Sequence, residues 1–312
     1  MVSFEPPQPL RLIDGGFINL ITPVEEFFVL TKYKGPKLDR EEWRLAVGGL
    51  VNKPKEMMFK DLTKGFSQRT EAATLECVIN KEGEDLVGTG LWTGISLSEV
   101  LEEVGVKDGA VEVLFSSLDG SKCSISMEEA LKPQTLLVHQ LNGRPLREDH
   151  GFPLRLVVPG SWGYAWMKWI RTIEVIGNKY TSGATRSGWS EMKNEMQLAT
   201  KIMRPKDKEE LRKGLNVVAG ASWDGGRRIH KVEVSVDGGV TWEEAKLAWV
   251  PTTPFVWTVW TYVWKPEKEG EYSIMVKATN ELGITEPVNR ESLDEMGMSG
   301  VRKLHKVVVT VK

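Results

Sequence analysis

Two hydrophobic periods succeed one another along this chain. In the first half, the short, mostly apolar stretches Val111–Phe115 and Leu154–Val158 predict strands. Ahead of both, Leu97, Val100, Leu101 and Val104 recur at three- and four-residue spacing within Ser96–Val104, which predicts an amphipathic helix. Mixed strands and helices of this kind predict an α+β domain. Past Gly177 the texture changes: Gly, Ser, Thr, Asn and Lys dominate positions 178–194 without periodicity, the pattern of a long loop or linker. A boundary is expected near residue 195, giving domains 1–194 and 195–312. Beyond it, apolar and polar residues alternate with period two, as in Lys231–Val236 before the turn Asp237-Gly238-Gly239, again in Tyr272–Val276, and in a closing strand Lys306–Val311. Short alternating strands with Asx-Gly turns predict an all-β immunoglobulin-like sandwich, with Trp223, Trp242, Trp249, Trp257, Trp260 and Trp264 serving packing.

Composition agrees with two cores and narrows the partners. The chain has 312 residues, 41% of them hydrophobic, enough for two domains at roughly 150 residues each. Its formal charge of −2 gives no reason to expect nucleic acid or an anionic membrane surface, and leaves a small-molecule substrate or another protein. No apolar run approaches the roughly 18 residues of a membrane span, and the opening MVSFEPPQPLRL lacks the basic-then-apolar pattern of a secretory signal, so a cytoplasmic location is expected. An exported protein shorn of its leader would read the same way. Two cysteines, Cys77 and Cys123, argue against a disulfide scaffold and a four-thiolate metal site.

Candidate chemistry concentrates at two places. Cys77 closes the strand-like AATLECVIN and precedes a polar loop with Asn80, Lys81 and Gly83, so its thiol is expected at a strand end with a lysine near enough to favour the thiolate that soft metals take. Cys123, in SLDGSKCSI, reads as a small packed side chain. His139 and His150 lie downstream of Cys77, as a Cys-His hydrolase would require, but no nucleophile signature accompanies them. Gly88, Gly90 and Gly94 in GTGLWTG are read as turns, because the strand, helix and distal acid of a dinucleotide loop are not evident. The second place is HGFPLRLVVPGSWGYAWMKW, residues 150–169. There His150, Arg155 and Lys168 bracket a buried strand and a glycine-containing loop, a set of donors suited to an anionic, phosphate-bearing cofactor.

Taken together, FFVLTKYKGPKLDREEWRLAVGGLV, LECVIN, LWTGISLSEVL, LNGRPLREDHGFPLRLVVPG with MKW, and GASWDGGRRIHKVEVSVDGGVTWEEA resemble, in order and spacing, the sulfite oxidase family of molybdenum enzymes over nearly the whole chain. The resemblance implies a molybdopterin-binding domain followed by an immunoglobulin-like domain through which the protein forms a homodimer. It implies that Cys77 ligates molybdenum and, with Lys168, belongs to the catalytic centre. It implies cofactor contacts from Phe27, Phe28, Val29, Leu30, Thr31, Asn80, Asp119, His150, Arg155, Trp166, Met167 and Lys168. No C-x-x-C-H haem sequence occurs, so the chain resembles the haem-free members, which need an external electron carrier.

Two departures bear on the substrate. The family binds sulfite with arginines in an FFxRN segment and just after the cysteine, where this chain has FFVLT and CVINKE, so that Leu30 and Glu82 stand in their places. A carboxylate in place of a guanidinium turns attraction for an anion into repulsion, on the order of a few kcal/mol at an effective dielectric of about 20. Lys32 and Lys81 are candidates to compensate, as point charges without a fork. The family's active-site tyrosine after MKW has no counterpart here: its place falls among Arg186, Ser187, Gly188 and Trp189, and Tyr180 lies too early. The expected activity is oxidation of sulfite or a related small substrate, with electrons passed to an external acceptor. A reductase of neutral sulfoxides or N-oxides stands as the alternative, and a non-catalytic immunoglobulin-like module as the alternative of another class.

Overall fold

The computed structural model describes residues 7–31, 35–181, 195–286 and 304–312. Contacts divide it into two compact units. The first comprises the described residues of Pro23–Val78 and Gly90–Asn194. The second comprises Pro7–Thr22, Ile79–Thr89 and the described residues of Glu195–Lys312.

The first unit is α+β. One five-stranded sheet runs Lys55–Met58, Arg44–Gly49, Ile170–Ile176, Glu112–Ser117, Lys122–Ser126 in spatial order, with Ile170–Ile176 parallel to Arg44–Gly49 and antiparallel to Glu112–Ser117. A second sheet runs Arg144–Pro145, Leu136–Leu141, Val87–Ser96, Arg69–Glu76, and the short strand Arg155–Val157 also pairs with Leu136–Leu141. The helix Leu97–Val104 follows from its spacing: Leu97, Val100, Leu101 and Val104 are all fully buried. It ends where Gly105 adopts φ 68° and its N–H reaches back to the carbonyls of Leu101 and Glu102. The helix Met127–Leu131 starts from a capping box between Ser126 and Glu129.

The glycines of GTGLWTG do not make turns. They lie inside the ten-residue strand Val87–Ser96. A Cβ on Gly94 would stand 2.0 Å from the Leu137 carbonyl oxygen, at the point where the pairing with Leu136–Leu141 shifts register, and a Cβ on Gly90 would stand 2.5 Å from Leu141 Cδ1. Close approach of a neighbouring strand, not chain reversal, demands glycine here.

The second unit is an all-β sandwich. One sheet runs Ala199–Arg204, Asn216–Trp223, Thr258–Trp264, Lys246–Trp249, and the other Glu210–Leu211, Lys306–Val311, Gly270–Asn280, Ile229–Ser235, Glu243–Glu244. Inward residues of both sheets, among them Val218, Val232, Trp260, Ile274, Val276 and Val309, form one core. Two N-terminal segments join this unit. Trp257 donates its indole N–H to the Leu20 carbonyl (2.8 Å), Arg204 pairs with Asp14 (3.6 Å), and the Thr22 amide donates to the Thr89 carbonyl (2.8 Å). No helix among the described residues is long and apolar enough to cross a membrane.

Candidate active site

Cys77 immediately follows the strand Arg69–Glu76 and is half-buried; both it and Cys123 are thiols. The SWGYAW turn packs on it: a Cβ at Gly163 would come within 3.0 Å of the Glu76 carbonyl oxygen and 3.6 Å of Cys77 Cα. A side chain there would crowd the Glu76 carbonyl and push the turn away by a few tenths of an ångström.

The residues from 148 to 169 fold back on themselves to make the second part of the site. Glu148–His150 forms a single 3-10 turn closed by Gly151 at φ 106°, where a Cβ would stand 3.0 Å from Lys168 Cβ and 3.1 Å from Arg155 Cβ. The left-handed backbone and the tight space both require glycine, and this places His150, Arg155 and Lys168 around one point. Trp169 is itself left-handed at φ 52°, an uncommon conformation for a bulky residue. It is held by an indole bond to the Glu148 carbonyl (2.7 Å), and the strand beyond is bulged between Ile170 and Thr172. This kink lets Lys168 turn back so that its ammonium donates to the Asp149 carbonyl (2.8 Å) and lies 5.2 Å from the centre of the Trp169 ring.

Arg155 is buried, with Nη1 donating to the His150 carbonyl and Nη2 to the Trp166 carbonyl, both at 3.1 Å. Its guanidinium stacks on Trp92 at 5.0 Å, and Trp92 meets Phe27 and Trp166 edge-on at 5.4 and 5.5 Å. Phe27 in turn packs edge-on against His150 and is stacked on Phe28. Two buried nitrogens of this cluster, His150 Nε2 and Arg155 Nε, have no hydrogen-bond partner among the described residues. Burial costs unmatched polar atoms free energy on the order of 1–3 kcal/mol each, so their placement points to a ligand.

Electrostatics agrees. Burial, reinforced by Arg155, pushes the His150 imidazole down to about 4, so at neutral pH it is uncharged. Burial, again reinforced by Arg155 and opposed by Asp149 and Asp119, lowers the Lys168 ammonium to about 7. Burial alone lowers Arg155 to about 9. An anion bound here would reverse all three shifts. Lys168 supplies a measurable consequence. Its folded pKa lies below the unfolded value, so its charge penalises the ligand-free fold fully below about pH 7, and the penalty fades as pH rises towards 10.5. Ligand-free protein is expected to gain thermal stability between pH 7 and 10 by more than its Lys168→Met variant does. Parallel pH–Tm profiles for the two would show that this ammonium carries no penalty.

The structure brings together Phe27, Phe28, His150, Arg155, Trp166 and Lys168. Asp119 joins their edge: its Oδ1 accepts from the Ser121 amide (2.9 Å) and its charge acts on Lys168, while Leu118 N–H bonds the Trp169 carbonyl (2.9 Å). Met167 is buried and its carbonyl accepts from the Leu156 amide (2.8 Å), a structural bond that holds the strand Arg155–Val157. Val29, Leu30 and Thr31 are exposed. Asn80 belongs to the other unit by its contacts; it is buried, and its Oδ1 accepts from the Leu86 amide (3.1 Å). Lys32 and Arg186–Trp189 lie outside the described residues. Tyr180 bonds through its amide to Glu112, at the opposite end of the strand Glu112–Ser117 from Asp119. His139 bonds Gln68 (2.7 Å) and packs edge-on against Phe59, a satisfied surface arrangement rather than a base for Cys77.

Sequence reasoning missed Trp92, which carries the guanidinium of Arg155, and Tyr164, one residue past the glycine that abuts Cys77. Burial first, and then the Glu129 carboxylate, pushes the Tyr164 phenol up to about 12, and burial pushes the Cys123 thiol up to about 12. A signal for Tyr164 existed in the SWGYAW string between two cationic positions; none pointed to Trp92.

The site's chemistry can be tested against a molybdenum–pterin cofactor. Among the described residues no group of three or more His, Cys, Asp or Glu side chains could hold a metal ion. A metal carried by its own organic ligand and fastened by one thiolate needs no such group. The unmatched His150 and Arg155 nitrogens suit the anionic end of the same cofactor. The residues present therefore fit it.

Comparison with known proteins bears on the same point. The model of the oxidoreductase molybdopterin binding domain matches residues 32–183, and that of the Mo-co oxidoreductase dimerisation domain matches residues 190–312. Mitochondrial sulfite oxidase of Mus musculus is 28% identical over 91% of this chain and 60% of its own length. A nitrate reductase [NADH] of Brassica napus is 30% identical over 78% of this chain and 32% of its own length. The chain thus spans about 60% or less of these relatives. Among solved structures, the sulfane dehydrogenase SoxCD from Paracoccus pantotrophus superposes with a TM-score of 0.74 at 26% identity, covering 86% of this chain and 73% of that one. With both halves matched in order and the fold shared, the chain belongs to the sulfite oxidase family of molybdopterin oxidoreductases.

Proposed function

We propose that this protein catalyses oxygen-atom transfer at a molybdenum held by the thiolate of Cys77, oxidising sulfite or a related small substrate and passing electrons to an external acceptor. The observation that carries the reading is the pair of unmatched buried nitrogens, His150 Nε2 and Arg155 Nε, gathered with Lys168 in the same unit as a strand-end cysteine. Bound there, the cofactor supplies two-electron redox chemistry and the transferable oxygen. The chain binds and orients. Cys77 offers one soft, electron-rich sulfur. Arg155, rigid between two carbonyls and the Trp92 face, offers its remaining N–H to an anion. Lys168, bonded to the Asp149 carbonyl, lies beside it and becomes fully protonated when an anion arrives. The buried Phe27, Trp92 and Trp166 exclude water and strengthen these interactions. Homodimer formation through residues 195–312 is part of the same reading, supported by the dimerisation-domain match and checked by light scattering.

A second reading reverses the direction. Val29 and Leu30 present exposed apolar side chains where an anion-binding arginine would be expected, and Glu82 adds a carboxylate after the cysteine, features that favour a neutral sulfoxide or N-oxide. The relatives are named for sulfite, nitrate and sulfane, so the fold alone does not choose. A paired assay on protein expressed in a cofactor-competent host does. Saturable reduction of ferricyanide by sulfite is the expected result; consumption of reduced viologen with methionine sulfoxide, and no sulfite activity, would replace oxidation by reduction. Molybdenum-free protein from that host would leave the non-catalytic module.

A further inference from the structure

Residues 147–168 hold three buried side-chain atoms with no hydrogen-bond partner among the described residues, and the three are not of one kind. Arg155 Nε can only donate. His150 Nε2 belongs to a neutral imidazole and donates or accepts according to the tautomer. The third, Asp149 Oδ1, is a carboxylate oxygen and needs a donor. The rest of Asp149 is fully engaged. Its Oδ2 accepts from Arg147 Nη2 (2.7 Å), its main-chain carbonyl accepts from Lys168 Nζ (2.8 Å), and the amide of the next residue donates to the Arg147 carbonyl (3.0 Å). Arg147, with half its side chain exposed, thus holds one carboxylate oxygen outward and leaves the other buried. That buried oxygen belongs with the cationic cluster: the Asp149 charge acts on both His150 and Lys168, and Gly151, two residues on, lies against Lys168 and Arg155.

An oxyanion stripped of every proton offers acceptors alone. It would suit Arg155 and Lys168 and be repelled by Asp149. We propose that this cluster is a phosphoryl site that requires a proton on its ligand: Arg155 and Lys168 take the bare oxygens, Asp149 Oδ1 accepts the one O–H, and Asp149 is therefore the residue that separates a phosphoryl group from sulfate. A phosphate monoester loses its second proton at about pH 6 and regains it at small cost near neutrality. Sulfate has none to offer, and a site that sets an acceptor against an acceptor rejects a ligand of otherwise equal shape. For a protein proposed to oxidise sulfite, the excluded anion is its own product. The requirement for an O–H rests on the geometry of this cluster alone, whereas the assignment of the phosphoryl group to the cofactor rests on the proposed function.

Hydrogen phosphate and sulfate make the test, because in slightly alkaline buffer both are tetrahedral dianions of nearly one size and only the first bears an O–H. Cofactor-free full-length protein titrated with each is expected to show a saturable rise in Tm, with hydrogen phosphate bound roughly tenfold or more tightly, the size expected when a buried acceptor is left unmatched. Asp149→Asn should bring that ratio to unity or below. Arg147 has no acceptor, so it keeps the amide oxygen outward and turns the NH2 inward, where it donates to either anion; the Lys168 bond is made to the main chain and survives. Arg155→Met should lose the saturable response to both anions, which separates binding here from general stabilisation by excluded anions. Equal affinities in wild type, a preference that Asp149→Asn leaves intact, or a saturable response kept in Arg155→Met would overturn the proposal. Loaded wild-type protein decides the source of the group. Hydrogen phosphate should add no saturable stabilisation there, and a rise as large as in the cofactor-free protein would assign the site to free phosphate. Wild type without molybdenum or pterin from a cofactor-competent host would remove the proposed function, while the ratio of the two anions would still decide the role of Asp149.

Discussion

Cys77→Ser is expected to strip the protein of molybdenum and to abolish oxygen-atom transfer, a loss of at least about a thousandfold, while leaving the fold intact. The effect is large because serine keeps the shape and loses the chemistry. A thiolate is available near neutral pH and is a soft, polarisable donor; a serine hydroxyl stays protonated and is hard, so it offers a soft metal little. The structural cost is small because Cys77 is half-buried just past the end of Arg69–Glu76, a position where such a replacement costs about 1 kcal/mol or less. Metal analysis should find about one molybdenum per wild-type chain and almost none in the variant, with Tm of the cofactor-free forms nearly equal. Cys123→Ser is the control, since burial pushes that thiol up to about 12 and leaves it protonated. Molybdenum retained at full stoichiometry in Cys77→Ser would place the ligand elsewhere.

How much of this was legible in the sequence depended on whether a contact is local. Leu97, Val100, Leu101 and Val104 declare their helix because one face of it meets one core, and the strands Ile229–Ser235 and Gly270–Asn280 declare themselves by alternation because only one face of each is buried. His150 and Arg155 were readable as a pair because Arg155 opens the short strand Arg155–Val157, buried throughout, and His150 ends the turn just before it. The glycines of Val87–Ser96 misled because glycine is a turn former by local preference, whereas here a carbonyl of Leu137 occupies the place of a Cβ. No local pattern could show that. Trp92 was silent for the same reason: its role is set by Arg155, 63 positions further on, and by the Ala73 carbonyl that takes its indole N–H (3.1 Å). The attachment of Ile79–Thr89 to the sandwich unit was also illegible, since Lys201, which donates to the Glu84 carbonyl, and His305, which lies against Gly83, are more than a hundred residues away from it.

The glycine and tryptophan conformations also explain why the cationic cluster is rigid before any ligand arrives. Gly151 at φ 106° and Trp169 at φ 52° each hold the backbone in a state that costs an ordinary residue about 1–2 kcal/mol; the first directly follows His150 and the second directly follows Lys168. The Arg155 guanidinium and the Lys168 ammonium, each disfavoured by the other's charge, cannot relax by moving apart when the backbone holds them. They wait for a counter-charge, which is the arrangement expected of a preorganised anion site.

Arg155→Met is expected to weaken retention of the cofactor by about a hundredfold or more, through loss of a buried charge pair worth roughly 2–5 kcal/mol. Methionine fills most of the volume against Trp92, so packing changes little. In the cofactor-free protein two effects then oppose each other. The His150 and Trp166 carbonyls lose their donors, which destabilises; a buried guanidinium with no carboxylate paired to it among the described residues disappears, which stabilises. The sign of the second term follows from linkage. Burial lowers the Arg155 pKa to about 9 from 12.5, so the charge penalises the ligand-free fold throughout the range below about pH 9, neutral pH included. The bare variant should therefore fall within about 2 kcal/mol of bare wild type. The loaded proteins should differ far more, because only the wild type gains the stabilisation that tight binding confers. The diagnostic quantity is the loaded-minus-free difference in Tm, read together with the pterin fluorescence recovered after gel filtration. Both should collapse in Arg155→Met. An undiminished Tm difference with pterin still bound would mean that His150, Arg155 and Lys168 receive some other anion, and that the cofactor is fastened without them.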